Sequence, residues 1–135
     1  MGTEKLKITA SGSAVYPNQD LTFQIIGAAM EVHRELASGF LEKVSEKALA
    51  IELKRRQIRF TTQVPIPVLY KGESPGAYYA DFIVDGRVLL ELKALDALAS
   101  VHSSQVIHYL KATGVKVGLL LNFGAAKLEV KRLVL

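Results

Sequence analysis

Apolar residues first recur at helical spacing from Asp20 onward, at Phe23, Ile26, Ala29, Met30, His33 and Leu36. With Asp20 as the N-cap, they predict a helix ending near Gly39. A second helical set, Leu41, Val44, Ala48, Leu49, Ile51 and Leu53, predicts a helix to about Gln57 with Glu42 in its first turn. The period then changes to two. Val64, Ile66 and Val68 alternate with Gln63, Pro65 and Pro67 between Thr61 and Tyr70. Both prolines remove donors from the same side, so this strand is expected at a sheet edge. Apolar runs at 78–84 and 87–94 flank Asp85-Gly86, a pair that tolerates positive φ and predicts an antiparallel hairpin. A helix is expected after Asp96 through Thr113, closed by Gly114, with strands at Lys116–Phe123 and Leu128–Leu133. The order is two helices, three strands, a helix and two strands, an α/β pattern.

Residues 1–18 carry Gly, Ser and Pro without a sustained period, and read as a leader or an added edge strand around Leu6 and Ile8. Residues 19–135 read as a single domain, a size that buries one core. No run approaches the roughly 20 apolar residues of a bilayer span, and the start lacks a signal peptide's apolar centre. The expectation is a soluble, cytoplasmic protein without a membrane partner. Cysteine is absent, which excludes disulfides, thiolate metal sites and cysteine nucleophiles. Seventeen Lys and Arg against thirteen Asp and Glu give a net charge of +4, a mild surplus compatible with a polyanionic partner. The densest cationic stretch, Lys54-Arg55-Arg56 with Arg59, also suits a helix C-terminus.

The chemistry concentrates on the hairpin. Period-two geometry puts Leu89, Glu91 and Lys93 on one strand face and Val88, Leu90 and Leu92 on the other. Pairing outward from Asp85-Gly86 brings Asp81 within reach of Glu91. Two carboxylates at 4 Å repel by about 4 kcal/mol at an effective dielectric near 20, so a compensating cation is expected. Mg²⁺ or Mn²⁺ suits oxygen donors, and the Leu92 backbone carbonyl is a further candidate ligand. Lys93 is placed to orient a water or to stabilise charge developing on phosphorus. The alternative is a cross-strand salt network on a solvated face.

Asp81-x9-Glu91-x-Lys93 has the form of the PD-(D/E)XK nuclease signature. Gly39-Phe40-Leu41-Glu42, Gln63–Val68 before Tyr70-Lys71-Gly72, Ala80-Asp81-Phe82, Glu91-Leu92-Lys93-Ala94, Tyr109–Gly114 and Gly118–Gly124 together resemble the GxxExxY proteins of that superfamily, over residues 21–134. The resemblance implies a restriction-endonuclease-like core: a mixed central sheet with an antiparallel three-stranded meander, flanked by helices. It also implies that Asp81, Glu91 and Lys93 hold the metal-binding and catalytic positions, with Glu42 as a helix-borne acid completing them. Gln105-x3-Tyr109 looks like the Q-x3-Y motif of exonuclease-type branches. It marks Gln105 as a catalytic and substrate-binding candidate and Tyr109 as a substrate contact, with His102 on the same helical face. Ser45 and Tyr79 depart from the family's tyrosine and arginine.

The leading expectation is a metal-dependent nuclease acting on DNA or RNA. The alternatives are a catalytically silent nucleic-acid- or protein-binding module of the same fold, and another phosphoesterase, for which nucleotide-binding glycine fingerprints are absent. A homodimer, through the first helix or the proline-bearing edge strand, is the expected way for so short a chain to enclose a duplex.

Overall fold

The computed structural model describes residues 18–135, together with the backbone of two short strands, β1 (Lys7–Ile8) and β2 (Ala14–Val15), which pair antiparallel. The expected leader otherwise lies outside the described residues. The remaining elements are α1 (Gln19–Leu36), α2 (Glu42–Arg55), β3 (Phe60–Pro65), β4 (Tyr79–Val84), β5 (Val88–Lys93), α3 (Ser100–Thr113), β6 (Val117–Asn122) and β7 (Glu129–Val134).

β3 to β7 form one five-stranded sheet in sequence order. β3, β4 and β5 are an antiparallel meander, β5 and β6 run parallel with α3 as the crossover, and β7 closes antiparallel on β6. The sheet is therefore mixed, with β3 at one edge where its prolines predicted it. At the hairpin, Asp85 and Gly86 take φ of 50° and 67°, and Arg87 N donates to Val84 O at 2.9 Å.

Two apolar layers hold the sheet. Leu21, Ile25, Ala28 and Val32 of α1 and Leu49 and Leu53 of α2 pack on Phe82, Val84, Leu90 and Leu92. On the opposite face Val106, Ile107 and Leu110 of α3 cover Leu89 and Leu120. A Cβ on Gly118 would come within 2.7 Å of Val106, so this glycine lets α3 lie close to β6.

The helical stripes match the expected ones in part: Ala29, Leu49 and Leu53 are buried as expected, with Ile26, Leu36 and Ala48 packed against the core. In α1 the buried line also takes in Leu21, Ile25, Ala28 and Val32, while Phe23 is 77% and Met30 59% exposed. In α2, Ser45, Leu49 and Leu53 are buried, whereas Leu41, Val44 and Ile51 are exposed. Both helices carry apolar residues on more than one face, and only one of those faces packs on the sheet. α1 also starts one residue before Asp20: Asn18, with φ 58°, is the N-cap, and Asp20 sits in the first turn, where its charge suits the dipole. α1 stops at Leu36, because Ala37 turns to φ 58° and donates to His33 O.

Candidate active site

The β4–β5 ladder runs from Val84↔Val88 to Phe82↔Leu90. Continuing that register pairs Asp81 with Glu91, but there side chains replace the backbone rungs. Asp81 N donates to Glu91 Oε1 at 3.1 Å, and Leu92 N donates to Asp81 Oδ2 at 2.8 Å. Each carboxylate thus holds the other's strand, and both are fixed by backbone that is itself in the sheet. Leu92, whose carbonyl is the expected backbone ligand, lies in this rung and pairs with Leu121 on its other side.

The helix-borne acids come from the first turns of α2. Glu42 and Glu46 are one turn apart, so they share a helix face. A carboxylate oxygen of each lies within 4.8 Å of one on Asp81 and of the other. Glu46 is 7% exposed and is held by two partners, the Lys43 ammonium at 3.2 Å and the Gln63 side-chain amide. Gln63 occupies the missing rung between Thr62↔Phe82 and Val64↔Ala80, directly across from Asp81. Its φ of 50° is a left-handed backbone in mid-strand, a conformation costing about 1–3 kcal/mol for a non-glycine residue and concentrated at functional sites.

The acids are crowded and poorly solvated. Burial, then the Asp81 charge, pushes the Glu91 carboxyl up to about 8. Burial also raises Asp81 against the lowering effect of the Leu92 N–H, and Glu46 adds to the rise. Glu42 is raised by burial and by Asp81. The half-buried Lys93 ammonium opposes the rise at all three without cancelling it.

α3 supplies the other candidates. Gln105 Nε2 donates to the Tyr109 hydroxyl at 3.3 Å, and both side chains are partly buried. Burial and the charge of Glu91, with a smaller effect from Asp81, push the Tyr109 hydroxyl up, so α3 borders the acid cluster. His102 is differently employed: its Nδ1 accepts Ala99 N at 2.9 Å and caps the start of α3. The loop from β5 to α3 is anchored by Asn122, fully buried, whose amide binds Leu95 N and Leu95 O at 2.9 Å each and Glu129 at 2.7 Å.

A short meander, a parallel fourth strand reached through α3, and acids at the broken end of the central hairpin make a distinctive combination. A profile of the PD-(D/E)XK nuclease superfamily matches residues 19–133. The chain belongs to the PD-(D/E)XK nuclease superfamily. No curated protein and no solved structure matched it. In this superfamily member, Glu46, Gln63 and Asn122 are the site's neighbours that sequence reasoning missed. Glu46 had a visible signal, a second glutamate four residues after Glu42 on a helix; Gln63 and Asn122 lie in stretches that carry the resemblance, but nothing tied them to the acids, because their partners are distant in sequence.

Proposed function

We propose that the protein is a Mg²⁺- or Mn²⁺-dependent nuclease hydrolysing phosphodiester bonds of nucleic acid, of the GxxExxY type within its superfamily. The observation that carries this reading is the meeting of Glu42, Glu46 and Asp81 oxygens beside buried Glu91. Burial first, and the neighbouring carboxylates second, raise the pKa values of Glu42, Asp81 and Glu91, so the cluster favours a cation, and hard oxygen donors select a hard one. Oxygens of Glu42, Glu46 and Asp81 within 4.8 Å of one another would be close enough to hold one small divalent cation between them.

Asp81 and Glu42 are the side chains assigned to hold the cation, with Glu91 and the Leu92 carbonyl alongside and Glu46 as a ligand or its immediate support. A bound divalent cation supplies charge neutralisation at the phosphoryl oxygens and a more acidic water. Lys93 emerges from the same strand end as Glu91 and donates to the attacking water or to the phosphoryl oxygen as its charge grows. Gln105, steadied by Tyr109, offers its amide to a non-bridging phosphate oxygen. Ser45 is buried in α2 and Tyr79 is 47% exposed on β4, so the two departures from the GxxExxY pattern leave the acids in place.

The test incubates the full chain with end-labelled single-stranded DNA, duplex DNA and RNA in Mg²⁺ or Mn²⁺. Cleavage is expected, abolished by EDTA and reduced at least about a hundredfold in Lys93→Ala. No cleavage of any substrate in either metal would replace this reading with that of a binding module.

A further inference from the structure

Beside the acid cluster runs a groove of about 370 Å³ lined by Val68, Tyr78, Val101, Ser104, Gln105, His108 and Tyr109. It shares Gln105 and Tyr109 with the candidate active site, and Tyr109 is close enough to Glu91 and Asp81 for their charges to act on its hydroxyl. Tyr78 stands three residues before Asp81 and is tied to the sheet through its carbonyl, which accepts Ile66 N at 2.8 Å. Its ring is seated on Gly76: a Cβ there would lie 3.1 Å from the Tyr78 hydroxyl and 3.3 Å from the ring. Gly76 is in turn fastened by Ser74, whose hydroxyl donates to Gly76 O at 2.9 Å. The aromatic ring is thus preset, 40% exposed, next to Val101 at 66%.

An apolar, aromatic groove is a poor place for a phosphate and a good one for a base face. In a duplex the faces are stacked on one another and only edges and backbone are presented. A strand whose phosphate lies at Glu42, Asp81 and Lys93 can fill the groove only if its neighbouring base is unstacked. Resting on the nuclease reading above, we infer that this groove is a nucleobase subsite, in which an unpaired base stacks on the Tyr78 ring between Val68 and Val101. Ser104, Gln105 and His108 line the groove and offer polar groups to the base edge. The substrate class this selects is single-stranded nucleic acid or an unpaired end.

The experiment titrates the full chain carrying Lys93→Ala, so that the strand is not cut during the titration, in Mn²⁺ into a single-stranded oligonucleotide carrying 2-aminopurine, and into the same sequence as a duplex. Quenching on the single strand is expected, with affinity falling about tenfold in Tyr78→Ala and restored in Tyr78→Phe, since stacking needs the ring and not the hydroxyl. Gly76→Ala, which presses on the Tyr78 ring and strains the backbone at φ 154°, is expected to weaken binding in the same direction. Calorimetry with Mn²⁺ alone keeps the metal site in view, with equal affinity expected in the parent and Tyr78→Ala. Affinity indifferent to Tyr78, equal quenching in the duplex, or a dimer broken by Tyr78→Ala, which would make a second copy the groove's occupant, each overturns the subsite. Cleavage with Tyr78-independent binding would sink the subsite and leave the nuclease standing. Tyr78-dependent quenching without cleavage would do the reverse.

Discussion

Glu91 couples the site to proton concentration. Its carboxyl has an ordinary value of 4.5 in the unfolded chain and ionises at about 8 in the fold. The folded protein therefore holds a proton that the unfolded chain releases between those values. Stability from this group is full below about pH 4.5 and is lost as pH rises toward 8. Metal-free protein is expected to show a melting temperature that falls by roughly 5 °C or more from pH 5 to pH 8, and Glu91→Gln to flatten the slope. Mg²⁺ should restore the lost stability at pH 8, because a cation binding only the folded state takes the proton's place. A metal-free melting curve indifferent to pH would contradict the burial of this carboxylate. At Glu46, removing one negative charge while keeping its shape is expected to weaken metal binding by about 10- to 100-fold in Glu46→Gln, measured by calorimetry. Unchanged affinity would make Glu46 a bystander of the acid cluster.

At the level of elements, the join between β5 and α3 decides where Lys93 and Gln105 stand relative to each other. Asn122 clamps Leu95, and Gly124 lies so close behind it that a Cβ would sit 2.4 Å from both Leu95 N and Leu95 O. Gly124→Ala must push backbone from backbone, and a loss of about 2 kcal/mol or more in chemical denaturation is expected. Asn122→Leu leaves Leu95 and Glu129 without their amide partner and should cost about as much. The hairpin bearing Asp81, Glu91 and Lys93 was legible in advance because Asp85-Gly86 and strand alternation together set its register. The helices were legible as elements but only in part in their inward faces: Ala29, Leu49 and Leu53 point inward as expected, whereas α1 offers Phe23 and Met30 as plausibly as Leu21 and Ile25. The clamp and the Gln63–Glu46 contact were invisible for a different reason: each joins positions fixed only by the folded sheet. Gln63 has no glycine-like residue type to betray its positive φ.

For the whole molecule, the stripe left over on α1 is the feature that asks for a partner. Phe23 and Met30 are exposed about two helix turns apart on a helix already packed by its other face. A homodimer contact through them is a prediction: light scattering is expected to give a dimeric mass that Phe23→Asp reduces to a monomer's. A monomer in the parent protein at high concentration would discount that contact. Among the described residues no helix is long and apolar enough to cross a membrane. β5, meanwhile, lies between an antiparallel and a parallel neighbour and is covered on both faces, with only its last residue partly open. Its amide protons should exchange with solvent only when the molecule opens globally, whereas those of the 66–78 connection should exchange by local opening. The acid and the lysine are thus carried on a central strand covered on both faces, and the aromatic wall beside them on a connection outside the sheet, held there by the Ile66–Tyr78 hydrogen bond. Changes in what the protein accepts are expected to arise in that segment while the reactive groups keep their places.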